Sequence, residues 1–208
     1  MNIEFLKKYS PWHAQIHFFE SIDSTNTYTL QLGEAGAPEG TLVIANEQKQ
    51  GRGQFQRPWF SPPETGIWMS LLLRPKITTE IIPALSQFAV VALYDAILKT
   101  KMKINNMNIK PPNDLLINGK KVAGVLVETR LGKNSFAVVG IGLNLFQQEK
   151  DFPVELKEKV TSLALATGEK NIDRPNILIF LLKELYERYQ QLLQYPAELD
   201  LEWKSRLI

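Results

Sequence analysis

Residues 50–59, with the sequence QGRGQFQRPW, combine residue types that suit the binding of an anion. The stretch holds two glycines and the arginines Arg52 and Arg57, and it has no acidic residue. Glycine lets backbone N–H groups approach phosphate oxygens closely, and an arginine can hold a carboxylate or phosphate through two parallel hydrogen bonds. The same composition is also typical of a solvated surface loop, so the rest of the chain must decide between the two interpretations.

A pair of lysines in a predicted strand could serve the same site. In KKVAGV (120–125), successive residues point to opposite faces, so only one of Lys120 and Lys121 can enter a given site. Lys120 adjoins the predicted turn at Asn118–Gly119, which favours Lys121 for that role, although solvent exposure is the usual state of a strand lysine. Gly124 would allow a ligand to approach the strand closely.

Two short polar motifs have both a structural and a functional interpretation. Ser24, Thr25 and Asn26 lie in DSTNT, a helix-capping sequence, and a hydroxyl can cap a helix while it donates its proton to a ligand. Asn113 and Asp114 follow two prolines that favour extended backbone, and an Asn-Asp pair there is typical of a turn.

Several common catalytic and cofactor sites find little support in the sequence. The loop at 50–59 lacks the Gly-Lys-Ser/Thr ending of a P-loop, and GIGLN (140–144) has two glycines of a dinucleotide-binding fingerprint without the third, a pattern typical of a tight turn. The chain has no cysteine, and its two histidines, His13 and His17, lie close together near the N-terminus. A zinc site or a Ser-His-Asp triad is therefore not predicted.

The elements that must position these residues are strands in the first part of the chain and helices in the last. Strands are predicted over 15–22, 41–47, 66–74, 107–130 (with a Pro-Pro break and an Asn-Gly hairpin) and 135–145, and helices over 23–36, 83–101, 154–168 and 173–194. This order predicts an α+β fold with a mostly antiparallel or mixed sheet.

Composition limits the class of protein. The 208 residues are 44% hydrophobic and 22% charged with a formal net charge of +2, which predicts one domain over 1–208 and does not demand a nucleic-acid partner. The absence of cysteine fits the cytoplasm, no secretory signal is recognised, and no stretch is expected to approach the length of a membrane span. The roughly 15 residues before the first strand leave no room for a helix-turn-helix, so DNA binding is not expected.

Four motifs taken in order are much more specific than any one of them. DSTNT, NEQKQGRGQFQRPWFSP, KPPNDLLINGKKVAGVLVE and GIGLNL together resemble the catalytic domain of the biotin protein ligases, over about residues 15 to 200. The resemblance implies a fold like that of the class II aminoacyl-tRNA synthetases, with a central mixed β-sheet flanked by helices. It also implies that biotin and Mg-ATP form biotinyl-5′-AMP, from which a lysine of a carboxylase carrier domain takes the biotin.

The resemblance assigns roles residue by residue. Lys121 would bridge the biotin carboxyl and the α-phosphate, Arg52 would contact the biotin carboxylate region, and both are the implied catalytic residues. The implied biotin-binding residues are Ser24, Thr25, Asn26, Gln48, Gly51, Arg52, Trp59, Lys121 and Gly124. The implied nucleotide-binding residues are Gly53, Gln54, Arg57, Lys110, Asn113, Asp114 and Asn144. Mg²⁺ is expected to enter with ATP rather than to bind a cluster of protein ligands.

The chain departs from the family pattern at three places. Gln54 stands where the well-known bacterial enzymes have arginine, and Pro111 replaces a tryptophan. The small C-terminal β-barrel of many relatives is expected to be absent or cut off, which would weaken the ATP step. A lipoate–protein ligase and a catalytically weak biotin-binding module are the rival interpretations. The partners expected are a carrier domain, no DNA and no membrane, and the protein is expected to be a monomer or a weak homodimer.

Overall fold

Seven strands form one mixed β-sheet in a computed structural model that describes residues 3–76, 78 and 81–208. The strand order is β1-β2-β3-β7-β6-β5-β4, with β1 parallel to β2 and every other neighbouring pair antiparallel. The strands are β1 (Ile16–Ile22), β2 (Leu42–Gln48), β3 (Gly66–Leu73), β4 (Met107–Lys110), β5 (Asp114–Ile117), β6 (Lys120–Arg130) and β7 (Phe136–Asn144). The predicted mixed sheet is confirmed, and so is the β5–β6 hairpin, whose Asn118 and Gly119 both have positive φ.

Six α-helices accompany the sheet in the part of the chain that the structure describes. They are α1 (Ile3–Tyr9), α2 (Thr25–Glu34), α3 (Ile81–Leu98), α4 (Leu163–Thr167), α5 (Arg174–Gln194) and α6 (Pro196–Ser205). The predicted start signals of α2 and α5 are confirmed, because Ser24 accepts from the backbone N–H of Thr27 and Asp173 accepts from that of Asn176. Proline in the first turn of α5 lacks an N–H that would have no partner in the helix.

The predicted helix over 154–168 is wrong, and α1 and α6 had no prediction. Residues Val154–Leu156 form one 3₁₀ turn, a further turn follows at 157–159, Val160 forms a β-bridge, and α4 begins only after Ser162. The chain around Val160 pairs with the start of β6, before the pairing of β6 with β7 begins at Ala123: the Lys121 N–H donates to the Lys159 carbonyl and the Thr161 N–H donates to the Lys121 carbonyl, each at 2.9 Å. These hydrogen bonds favour extended backbone over the helix that local composition indicates.

The two faces of the sheet have different roles. Along β7, Val139 and Ile141 point into the core cluster that includes residues of α3 and α5, whereas Gly140 and Gly142 point to the face that α2 covers. This alternation follows from the two-residue period of a strand. The α2 face is therefore left with small residues near the middle of the sheet, and a cavity opens there.

Helix α3 corrects one prediction. Its 18 residues are long and apolar enough to meet the length and composition test for a membrane span, which no stretch was expected to approach. Leu85, Phe88 and Leu93 are fully buried against the sheet and α5. A buried core helix of a folded domain passes the same test, and the packing of α3 is that of a core helix.

Candidate active site

A cavity of about 320 Å³ lies on the α2 face of the sheet. Its walls come from the N-terminal end of α2, the loop at 50–59, the Pro-Pro turn before β5, the inner strands β6 and β7, and the segment 152–160. The predicted site residues that line it are Ser24, Thr25, Asn26, Gln48, Arg52, Gly53, Gln54, Arg57, Trp59, Asn113, Asp114, Lys121, Gly124 and Asn144. Residues from four separated motifs are thus brought to one place.

One end of the cavity is a hydrogen-bonded group at the start of α2. The Thr25 hydroxyl and backbone N–H both donate to Oε1 of Gln48, at 3.0 and 2.9 Å, and Nε2 of Gln48 donates to Ser61 at 3.0 Å. The hydroxyl of Ser70 lies 2.8 Å from Oγ1 of Thr25 and 2.5 Å from Oδ1 of Asn26. These groups are held in fixed positions, as a small polar ligand with several donors and acceptors requires.

Lys121 supplies a cation near the centre of the cavity. Its Nζ lies 2.6 Å from Oδ1 of Asp114 and 5.0 Å from the centre of the Trp59 ring. In a regular strand Lys121 and Gly124 would face opposite sides, but the β5–β6 register shifts between Leu115 and Leu116. The bulge turns Lys121 and Gly124 to the same side, so that both line the cavity.

The Trp59 indole lies on a flat patch made by two glycines. Gly124 and Gly142 are directly paired across β6 and β7. A Cβ at Gly142 would overlap the indole, and one at Gly124 would lie 3.3 Å from the ring and 3.1 Å from Nζ of Lys121. The strand predicted over 135–145 is confirmed: the glycines of GIGLN lie inside β7, not in a tight turn, and make room for side chains from other elements.

The loop at 50–59 closes the cavity from one side. Arg52 donates through Nη2 to Thr27 at 3.0 Å and to Glu128 at 3.3 Å, and through Nη1 to Gln56 at 3.2 Å. Phe55 and Gln56 have φ values of 56° and 58°, in the left-handed region that residues other than glycine seldom adopt. The Phe55 ring is 85% exposed. The Arg57 guanidinium lies 5.7 Å from that ring.

The far end of the cavity contains two asparagines whose side chains hold backbone. Asn113 donates to the Val125 carbonyl, and Asn144 donates to the Thr161 carbonyl at 3.0 Å while it accepts from Gln147 at 3.1 Å. Both asparagines are at least 95% buried. Each therefore fixes the local wall of the cavity, whatever it contacts in a complex.

Two predicted site residues do not line the cavity. Lys110 ends β4 and is exposed. Gly51 is buried beneath the loop, where its carbonyl accepts from the Trp59 N–H at 2.8 Å and a Cβ would lie 2.5 Å from the Trp59 carbonyl. Gly51 thus shapes the loop, and Lys110 stands outside the wall formed by the described residues.

Ser70 and Glu128 hold residues of the site in place and had no predicted role. Ser70 is fully buried between Thr25 and Asn26, and Glu128 joins Asn26 to Arg52. The sequence does contain a signal for Glu128, because it alternates with Gly124 and Leu126 on the cavity face of β6, where a charged residue needs a partner.

The chain belongs to the family described as "Biotin/lipoate A/B protein ligase family", whose family model matches residues 18–144. A bifunctional ligase/repressor BirA of Bacillus spizizenii is 42% identical over 187 residues, which cover 88% of this chain and 57% of that protein. A biotin--[acetyl-CoA-carboxylase] ligase of Mycobacterium tuberculosis is 31% identical over 200 residues, which cover 95% of this chain and 72% of that protein. The chain thus spans little more than half the length of the BirA relative.

A solved structure has the same architecture. The biotin protein ligase of Aquifex aeolicus in complex with biotin and ATP superposes with a TM-score of 0.79 at 31% identity, covering 93% of this chain and 78% of that one. The biotin/lipoate ligase fold predicted from the motifs is thereby confirmed.

Proposed function

We propose that this chain is the catalytic part of a biotin protein ligase. It joins biotin to ATP, giving biotinyl-5′-AMP and pyrophosphate, and then passes the biotin to a lysine of a carboxylase carrier domain with release of AMP. Support comes from the names of the relatives, one of which is a biotin--[acetyl-CoA-carboxylase] ligase, and from the similar structure that holds biotin and ATP. The cytoplasm is the proposed setting.

The position of Lys121 carries the proposal. In the first step a carboxylate oxygen attacks the α-phosphorus and pyrophosphate leaves, so two anions must meet. A cation between them lowers that repulsion and stabilises the charge that builds on phosphorus. Lys121 projects into the cavity between Asp114 and the Trp59 ring, within reach of ligands on both sides. Binding of biotin alone would not need a cation that also reaches a phosphate.

The polar group at the start of α2 is the proposed site of the biotin ureido ring. That ring offers two N–H donors and one carbonyl acceptor, and Ser24, Thr25, Asn26 and Gln48 provide hydroxyl and amide groups at the cavity wall. Trp59 provides a flat apolar wall for the remainder of the ligand. In this arrangement Arg52 stands near the carboxylate, and Gly51 acts by shaping the loop.

The opposite part of the cavity is the proposed nucleotide site. Gly53, Gln54 and Arg57 of the loop face it from one side, and Asn113, Asp114 and Asn144 from the other. Lys110 is proposed to reach the phosphates from outside the wall. Mg²⁺ is proposed to enter with ATP, since the described residues contain no group of three or more side chains suited to hold a metal.

The decisive experiment measures pyrophosphate release from Mg-ATP with biotin or with lipoate. We expect release with biotin and none with lipoate. Lys121→Met should lower the rate roughly 100-fold, the usual order for loss of a group that stabilises transition-state charge. Lys120→Met is the matched control, because Lys120 turns away to the Lys157 carbonyl at 3.2 Å. No release with either acid would defeat the proposal, and release with lipoate alone would make the chain a lipoate ligase.

A further inference from the structure

Glu128 does not line the cavity, but it connects two elements that do. Its Oε2 accepts from Nδ2 of Asn26 at 2.9 Å and from Nη2 of Arg52 at 3.3 Å. Asn26 belongs to α2 and Arg52 to the loop at 50–59, so one carboxylate oxygen of β6 joins both. The Arg52 and Glu128 side chains are only 25% and 22% exposed, which limits screening of the pair by solvent.

The surroundings of Arg52 show what this carboxylate does. The two hydrogens of Nη2 are both engaged, one by Thr27 and one by Glu128, and Nη1 uses one of its hydrogens for Gln56. Arg52 therefore meets a ligand with Nε and the remaining hydrogen of Nη1 in a fixed orientation. Glu128 is in turn fixed by Asn26, whose Oδ1 lies 2.5 Å from the Ser70 hydroxyl.

The structure assigns Glu128 as a positioning residue that acts on the biotin end of the cavity through Arg52. This inference rests on the proposed function, since it concerns affinity for the acid that is to be activated. Simple Coulomb repulsion predicts the opposite effect, because a carboxylate near the site should weaken the binding of an anion. The positioning role and simple repulsion therefore predict opposite changes in biotin affinity when the charge of Glu128 is removed, and one substitution distinguishes them.

Glu128→Gln keeps the shape of the side chain and removes its charge. We expect it to raise the dissociation constant and KM of biotin about ten-fold, with kcat changed less than about two-fold, because a charged hydrogen bond that positions Arg52 is lost. Tighter biotin binding would overturn the inference, because it would mean that Glu128 withholds Arg52 from the ligand. Unchanged binding would overturn it as well.

A substitution of Glu34 provides a matched control. Arg130 and Glu34 form another ion pair, which joins β6 to α2, with Nε and Oε1 3.1 Å apart, and their side chains are 47% and 57% exposed. Glu34→Gln should leave the dissociation constant and KM of biotin unchanged. An effect equal to that of Glu128→Gln would reduce the role of Glu128 to general support of α2, and the inference would fail.

A double substitution tests the route through Arg52. Arg52→Gln should weaken biotin binding, and adding Glu128→Gln to it should cause no further loss. A further ten-fold loss in the double variant would show that Glu128 does not act through Arg52.

Amide hydrogen exchange of residues 50–59 separates this inference from the proposed function. Without any ligand, Glu128→Gln should speed exchange in the loop and Glu34→Gln should not. A wild-type chain that neither binds biotin nor releases pyrophosphate would defeat the proposed function, while faster loop exchange would still support the contact of Glu128 with Arg52. Unchanged loop exchange in Glu128→Gln would defeat the inference alone.

Discussion

Two of the cations that line the cavity, Lys121 and Arg52, already have a carboxylate partner. Lys121 pairs with Asp114, and Arg52 pairs with Glu128. A partly buried cation without a counter-charge is costly, so these pairs keep the site stable before a ligand arrives.

Gln54 lines the cavity at the loop position where the well-known bacterial enzymes have an arginine, so this loop has one positive charge fewer there. We expect Gln54→Arg to slow dissociation of the acyl-adenylate roughly five-fold, because a charged hydrogen bond contributes about 1 kcal/mol more than a neutral one. The measurement is release of biotinyl-5′-AMP into solution by stopped-flow or filter binding. Gln50→Arg, at an exposed position of the same loop, adds the same charge outside the cavity and should have no effect. An unchanged off-rate in Gln54→Arg would contradict the expectation.

The sequence predicts those site residues that stand in contiguous motifs. Thr25, Asp114 and Lys121 lie in such motifs, and all three line the cavity. Glu128 was missed because its partners Arg52 and Asn26 are 76 and 102 positions away in the chain. Such a contact depends on strand order and register, which local pattern does not specify.

At the scale of elements, strands were easier to predict than the segment that joins them to the last helices. Each main strand has alternating or continuous apolar residues between turn signals, and these segments form strands in the structure. Residues 154–168 have helix-forming composition but lie beside the start of β6, before its pairing with β7 begins at Ala123, and pairing at Val160 prevails over local propensity. The bulge in β6 was also beyond prediction, because it depends on the register with β5.

Substitutions at two helix caps should distinguish an effect on stability from an effect on biotin binding. Ser24→Ala should lower the free energy of unfolding by about 1 kcal/mol and also weaken biotin binding, because Ser24 both caps α2 and lines the cavity. Asp173→Ala should cost about the same stability at the start of α5 and leave biotin binding unchanged. Urea unfolding and calorimetric titration give the two quantities. Equal biotin affinity in the two variants would contradict a ligand-binding role for Ser24.

The glycine patch on β6 and β7 should not tolerate a side chain. Gly142→Ala places a Cβ against the Trp59 ring, so we expect a loss of about 1–3 kcal/mol in stability together with weaker biotin binding. In a Trp59→Ala background the same substitution should cost little, because the overlapping ring is gone. Urea unfolding of the four chains completes the cycle. A loss that persists without Trp59 would assign the crowding to the backbone of the neighbouring strands.

At the scale of the whole molecule, the sheet separates the cavity from a charged cluster that fastens three helices. Arg188 of α5 donates to Asp95 of α3 at 2.6 and 3.0 Å and to Glu202 of α6 at 2.9 Å. Arg206 adds a contact to Asp95 at 3.1 Å. Burial raises the pKa of Asp95 above its ordinary value, although both arginines act to lower it. Asp95 therefore depends on these arginines to remain charged.

Removing one arginine should destabilise the molecule without touching the site. We expect Arg188→Met to cost about 3 kcal/mol of unfolding free energy, because Asp95 is left buried with one cation fewer, and Asp95→Asn in the same chain should restore part of it.

Without Arg188 the pKa of Asp95 rises further, so the folded state takes up a proton more readily than the unfolded state. The cost should accordingly be smaller at pH 5 than at pH 8. Lys204→Met, which removes an exposed pair with Asp200, is the control and should cost less than about 0.5 kcal/mol. Urea unfolding at the two pH values tests the signs, and a biotin affinity that falls with stability would contradict the separation of the two faces.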